Sequence, residues 1–472
     1  MLIARDIEKR RLQDAYDSDK SEFVAVYGRR RVGKTFLIKE VFNSKFTFLH
    51  TGIADAPTEV QLNNFTSSLT KAGLTINEKP RNWFEAFDSL SVLIKASKRK
   101  GKKVVFLDEL PWMGTHRSRF LTALEHFWNG FAALRDDVLL IVCGSATSWI
   151  INNVVNNHGG LHNRVTRQIY LRPFTLGECE RLAASYNLRM SRRDILMNYM
   201  IMGGIPYYWS LLQKGLSQPQ NIDVLCFTRG GEMTDEFNKL YSSLFKHPEP
   251  YVAIITALAT KKCGMTREEI ADAAKLNDGG KLTKYLDELE QCDFIRRYTM
   301  IGKVKKGAIF QLIDAFTLFY FRFMKSHSMT TGPIWVKLQG KPKFNSWTGI
   351  AFERVCLIHI DQIRKRLGIS GVITTVHSWQ KKEDETPGAQ IDLLIDREDG
   401  VITLCEMKYH AGKYAIHKKD NLTLQNKLDA LANFLKTKKA IHLTMITGYG
   451  LAPTEYSSMV QSEVVADDLF DD

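Results

Sequence analysis

"EFVAVYGRRRVGKTFLIKEVF", residues 22–42, places an apolar, strand-like run, a basic loop bounded by glycines and a helix-like run in that order. The loop fits G-x-x-x-x-G-K-T with Gly28, Gly33, Lys34 and Thr35. Such glycines let backbone N–H groups curl around phosphate oxygens at the positive end of the following helix. The spacing predicts a cradle made of Gly28, Arg29, Arg30, Arg31, Val32, Gly33, Lys34, Thr35 and Phe36. Lys34 is expected on the β- and γ-phosphates, and the Thr35 hydroxyl on Mg²⁺. The plainer alternative, a glycine turn with no ligand, is disfavoured by the strand before it and the helix after it.

A partner segment lies downstream. "KKVVFLDEL" (102–110) is four apolar strand residues ending in Asp108 and Glu109. Asp108 is expected to hold Mg²⁺ and Glu109 to polarise an attacking water; a solvated acidic turn is the alternative. With "EFVAVYG" (22–28), "KFTFLHTG" (45–52) and "DVLLIVCGS" (137–145), the alternation with helical stretches predicts a parallel sheet covered on both faces.

These segments, with "CGS", "LRPFTLGE" and "GGIPYY", resemble the archaeal-type P-loop ATPase family, which is related to AAA+ and STAND ATPases, over roughly residues 1–245. The resemblance implies ATP as the nucleotide. It further implies Ser145 as γ-phosphate sensor, Arg164 as an arginine finger and Pro206 as a contact to the base. A finger supplied by a neighbouring subunit implies a homo-oligomer through the ATPase domains.

The 472 residues suggest two to four domains, and 44% hydrophobic with 25% charged residues excludes general disorder. No run has the ~18–20 apolar residues that a membrane helix needs, so no membrane partner is expected. "MLIARDIEKRRLQ" turns charged too early for a secretory signal, and seven scattered cysteines without CxxC spacing read as reduced thiols. Both predict a cytoplasmic protein. The formal charge of +13 leans toward a polyanion, with DNA as the expected partner and a merely soluble basic surface as the alternative.

Residues 1–170 read as the ATPase domain and 171–247 as a helical lid. Residues 248–330 read as a winged helix (helix, helix, helix, hairpin) with a connecting helix, and 340–472 as a further α/β domain with a frayed acidic tail, "DDLFDD". "TTGPIWVKLQGKPK" (330–343) has the character of a boundary. In the winged helix, the third helix mixes Lys281 and Lys284 with Asp287, Glu288 and Glu290, whereas the wing carries Lys303, Lys305 and Lys306.

The last domain holds "QIDLLIDREDGVITLCEMKYH" (390–410), two apolar runs carrying Asp392, Glu406 and Lys408. Strand alternation puts Glu406 and Lys408 on one face, and the "DREDG" turn brings Asp392 back beside them. Glu353 on an upstream amphipathic helix supplies a third carboxylate, and Gln425 lies on a following helix. Paired carboxylates beside a cation suit Mg²⁺-assisted attack on a phosphodiester. The order resembles the PD-(D/E)XK nuclease superfamily, although Gln390 and Ile391 stand where the name has its proline. That resemblance implies Glu353, Asp392, Glu406 and Lys408 as catalytic residues, with Asp392 and Glu406 as metal ligands. A salt-bridged hairpin is the alternative. Lys381, Lys382, Lys413, Lys418, Lys419 and Arg364 to Arg366 give the region basic surroundings.

The expected fold class is α/β: a P-loop NTPase parallel sheet with helical lid, winged helix and a C-terminal restriction-endonuclease-like domain. The expected function is an ATPase whose nucleotide cycle controls a Mg²⁺-dependent DNA nuclease. Its rivals are an ATP-dependent switch with an inactive docking domain and a helicase-like translocase, for which no tandem helicase motifs are present.

Overall fold

The computed structural model describes residues 2–115, 117–156, 161, 163–299, 301, 308–326, 333–381 and 387–471. Lys303, Lys305 and Lys306 of the expected wing, and Lys382, lie outside the described residues. The chain folds as two compact units, Met1–Pro173 and Phe174–Asp472. Among the described residues no helix is long and apolar enough to cross a membrane. The cysteines are all free thiols, buried except for Cys263.

In the first unit, β1 (Glu22–Tyr27), β2 (Phe48–Thr51), β3 (Lys103–Asp108), β4 (Val138–Gly144) and β5 (Arg167–Tyr170) form one sheet in the order β2-β3-β4-β1-β5. Every neighbouring pair is parallel. Helices occupy the crossovers, among them Lys34–Val41 after β1, Trp83–Ala96 before β3 and Phe120–Gly130 before β4. Their apolar stripes explain why β4 is buried along its whole length. Trp83 anchors one such layer, its ring 4.7 Å from Phe120 and 5.4 Å from Phe65. Because the strands run parallel, the carboxyl ends of β1, β3 and β4 open on the same edge, where α/β sheets bind ligands.

The second unit begins with helices Leu176–Ser185 and Arg192–Met202, each started by a capping box, Thr175 with Glu178 and Ser191 with Asp194. Further on, helices Glu249–Leu258, Arg267–Ala274 and Gly280–Gln291 surround a small antiparallel sheet. Its strands are β6 (Met265–Thr266), β7 (Ile295–Tyr298) and β8 (Ile309–Leu312), in the order β6-β8-β7. The short β6 has no sequence signal, since two residues carry no periodicity.

In the stretch expected as a boundary, of which residues 333–343 are described, Trp335 is the buried residue. Trp335 is fully buried in an aromatic cluster with Phe319, Phe323 and Trp347. The Asp223 carboxylate accepts from the N–H groups of Ile334, Trp335 and Val336 at 2.7, 2.6 and 3.1 Å.

After helix Pro342–Ile358 comes a mixed sheet of β9 (Thr374–Lys381), β10 (Ala389–Arg397), β11 (Val401–Lys408), β13 (Ala440–Thr447) and β15 (Ser462–Val465), ordered β15-β13-β11-β10-β9. The two-residue strands β12 (Tyr414–Ala415) and β14 (Leu451–Ala452) pair separately. Strands β9, β10 and β11 are antiparallel, and β11, β13 and β15 parallel. Helix Lys418–Leu435 lays Leu424 and Leu431 on this sheet. The terminal segment is not frayed: Leu469 and Phe470 are buried, and the Arg192 guanidinium lies 4.7 Å over the Phe470 ring.

Candidate nucleotide site and a second, lysine-lined acidic pocket

Strand β1 delivers the chain to Gly28, whose φ of 143° few side chains adopt and where a Cβ would collide with the Leu171 carbonyl oxygen. The loop turns again at Gly33, φ 92°, which caps the helix Lys34–Val41. Arg29, Val32 and Lys34 are buried, Arg30, Arg31 and Thr35 are partly exposed, and Phe36 is exposed. The Lys34 ammonium donates to the carbonyls of Gly28 and Arg29 at 2.8 and 2.9 Å, which fixes the cation inside the curl.

The Thr35 hydroxyl donates to Asp108 Oδ2 at 2.9 Å, so the two expected Mg²⁺ ligands already touch. Asp108 Oδ1 accepts from the Glu109 N–H at 2.9 Å and from the Cys143 thiol at 2.8 Å. Burial, with Asp108 alongside, pushes the Cys143 thiol well up, so it remains a proton donor. Glu109, at φ 50°, accepts from Ser145 twice, from N–H at 3.2 Å and from Oγ at 3.0 Å. The structure thus brings the whole loop, Asp108, Glu109 and Ser145 together. Arg164 lies exposed on the turn before β5, and Pro206 opens the helix Pro206–Ser210 in the second unit.

A hard-cation fit holds here. A hydroxyl and a carboxylate within hydrogen-bond distance are oxygen donors of the kind Mg²⁺ takes. Cys143 is the residue that sequence reading missed; its single position before "GS" gave no hint that the thiol points at Asp108.

The second pocket, of about 160 Å³, is lined by Glu353, Gln390, Asp392, Glu406, Lys408, Lys427 and Lys262 among others. The four expected nuclease residues therefore meet from one helix and two strands. The β10–β11 register runs from Leu393 opposite Cys405, which places Asp392 and Glu406 at the next step. A bulge between Ile391 and Leu394 interrupts pairing with β9 at that point, and the Ser378 hydroxyl ties the Asp392 carbonyl at 2.8 Å. Bulges re-aim side chains in this way.

Each carboxylate has a partner. Glu406 pairs with Lys408 at 3.0 Å and Lys427 at 2.6 Å. Asp392 accepts from the Gln390 amide at 2.7 Å. Glu353 pairs with Lys262 at 2.6 Å, while its buried Oε2 has no hydrogen-bond partner among the described residues. Burial, then the Asp392 charge, raises the Glu353 carboxyl above its usual range. At Lys408 burial opposes the charge, but Glu406 outweighs it and holds the ammonium above its ordinary value.

The Glu406–Lys408 salt bridge of the plainer reading is present. Among the described residues no three His, Cys, Asp or Glu side chains are arranged to hold a metal ion. The oxygen chemistry suits Mg²⁺, and the orphaned Glu353 Oε2 is a ready acceptor. Lys427 and Lys262 were missed by sequence reading. Gln425, singled out there, is exposed, and Lys427 two places on lines the pocket instead. Part of the basic surroundings is already paired, Arg364 with Asp361 and Arg366 with Asp468.

The fold and loop of the first unit define a nucleotide-binding P-loop ATPase. Residues 2–212 match the family model described as an ATPase domain predominantly from Archaea, so the chain carries an ATPase domain of archaeal type. A relative from Methanocaldococcus jannaschii, the uncharacterized protein MJECL04, is 24% identical over 423 residues, covering 87% of this chain and 88% of its own. Among solved structures, the Walker-type ATPase PABY2304 of Pyrococcus abyssi is 18% identical with a TM-score of 0.49, covering 68% of this chain and 96% of that one. The Aeropyrum pernix ORC2 protein is 15% identical with a TM-score of 0.41, covering 69% and 93%.

Proposed function

We propose that the chain is an ATPase whose nucleotide cycle controls a Mg²⁺-dependent, PD-(D/E)XK-like DNA nuclease site formed by Glu353, Asp392, Glu406 and Lys408. The observation that carries the reading is their convergence on one pocket from segments far apart in sequence. Asp392 and Glu406 would hold a metal ion, which supplies charge neutralisation and an activated water. Lys408 places an ammonium beside the attacked phosphate, and Glu353 adds a further acceptor.

In the first unit, Lys34 binds the β- and γ-phosphates, Thr35 and Asp108 hold Mg²⁺, and Glu109 orients the hydrolytic water under the control of Ser145. Arg164 is assigned as an arginine finger toward a neighbouring subunit, and Pro206 as a lid contact. The helices from Glu249 to Gln291 with β6 to β8 act as a winged helix. Its third helix favours DNA more than its composition suggests, because Arg297 neutralises Asp287 and Glu290 at 3.4 and 2.8 Å while Lys281 and Lys284 stay exposed. Neighbours such as the Drosophila ORC are described as bound to DNA, in keeping with that assignment.

The test is nicking of supercoiled plasmid in Mg²⁺ by the full chain. Asp392→Asn, Glu406→Ala and Lys408→Ala are expected to lower the rate by about 10²-fold or more. Equal rates in all four proteins would refute the assignment. A second reading, an ATP-driven switch with a docking domain, is favoured by the pairing of every pocket carboxylate. It predicts a change of assembly size with ATP, seen by light scattering, and no cleavage by any variant.

A further inference from the structure

Lys262 reaches the pocket from outside the domain that builds it. It sits between the helix Glu249–Leu258 and β6, and its ammonium lies 2.6 Å from Glu353 Oε1. The two modules are fastened at that residue. The buried Arg354 donates to the Lys262 carbonyl at 2.6 Å and to the Leu312 carbonyl at 3.0 Å, and Gln311 donates to the same Lys262 carbonyl at 2.8 Å. The loop is therefore held by its backbone, with the side chain extended into the pocket.

The charges facing the pocket divide by origin. Lys408 and Lys427, from β11 and the helix Lys418–Leu435, both engage Glu406. Glu353 and Asp392 interact unfavourably with each other, and Lys262 is the lining lysine paired with Glu353. Arg354 and Arg296 add positive charge nearby; burial lowers the pKa of both, Arg296 to about 10, and both stay charged at neutral pH. Two carboxylates in a half-enclosed site need positive charge beside them, which a lysine supplies as one charge and a divalent metal as two. With the ammonium on Oε1, a dication on Oε2 of the same carboxylate would face a like charge, so the two oppose each other there.

We propose that Lys262 is a tethered cation, carried by the helix–hairpin module, that competes with a divalent metal ion for Glu353 and keeps the acidic pocket closed to it until the loop withdraws. The inference rests on reading the pocket as a metal-dependent site. It adds that the module bearing Lys262 is the element through which that site is switched. Withdrawal breaks one ion pair and the two hydrogen bonds to the Lys262 carbonyl, and leaves Glu353 and Asp392 to bind the metal.

Mn²⁺ is titrated into the full chain at neutral pH, with free Mn²⁺ read by electron paramagnetic resonance. Lys262→Met is expected to tighten Mn²⁺ binding by about tenfold, the gain when a site open about a tenth of the time becomes always open. Lys261→Ala, whose lysine pairs instead with Glu269, should bind like the parent. Glu353→Gln added to Lys262→Met should cancel the gain. Should the parent bind Mn²⁺ through Asp392 and Lys262→Met bind no tighter, the latch is wrong and the metal site stands. Should no protein bind Mn²⁺, both fall. An independent reading on the parent chain covers poor folding of the variant: acylation of the Lys262 amine, mapped by mass spectrometry, should rise when Mn²⁺ is added, and an unchanged yield overturns the proposal.

Discussion

His50 lies in β2, 1% exposed, with Nδ1 3.0 Å from the Ser68 hydroxyl and its ring 4.9 Å from Phe65. Burial lowers its pKa from 6.5 to about 4. A depressed folded value means that the unfolded chain takes the proton first. The contribution is therefore complete above about pH 6.5 and is lost as the pH falls toward 4, on the order of 3 kcal/mol in all. Over that window the native chain should lose thermal stability faster than His50→Leu, and parallel curves would disprove this account. The residue scale also shows where sequence reading succeeds. The convergence of Gly28, Lys34, Thr35 and Asp108 was legible because the loop's spacing and the strand end fix where each falls. Lys262 was not, because its partner is 91 positions away and nothing local marks this lysine as paired with a glutamate.

Among the elements, the short helix Trp335–Leu338 owes its start to a distant side chain. The Asp223 carboxylate takes three of its orphan N–H groups, from more than a hundred positions away. Asp223→Ala should cost about 2–3 kcal/mol, a lost cap plus buried donors left unpaired. Urea unfolding followed by tryptophan fluorescence measures it, since Trp335 sits in the affected cluster; a midpoint unchanged from the parent would contradict it. This cap explains how Trp335, in a Gly/Pro/Lys-rich segment that reads as a boundary, is held in the aromatic cluster. The sheet of the second unit carries a similar lesson. Strand alternation put Glu406 and Lys408 on one face, and they do pair. The bulge at Asp392, by contrast, depends on pairing with β9, which no local pattern reveals. The closing acidic tail misled because its charge was plain while the anchoring by Leu469 and Phe470 was tertiary.

At the level of the whole molecule, the ATPase unit was readable because strands alternating with helices leave a parallel sheet as the simplest closed arrangement. The second unit was readable as a series of pieces. Its pocket, assembled from two helices, two strands and a lysine that precedes β6, was legible in its carboxylates and Lys408 but not in Lys262 or Lys427. With chemistry proposed in both units and control in the first, nucleotide binding decides the assignment. The direct measurement is ATP binding by calorimetry in Mg²⁺, with phosphate release followed in parallel, for the parent chain, Lys34→Ala and Glu109→Gln. The parent is expected to bind and turn over ATP, and Lys34→Ala not to bind it. Glu109→Gln is expected to bind ATP while its hydrolysis falls by about 10²-fold or more. A folded parent chain that takes up no ATP, or a Lys34→Ala chain that binds it as well, would contradict the central claim.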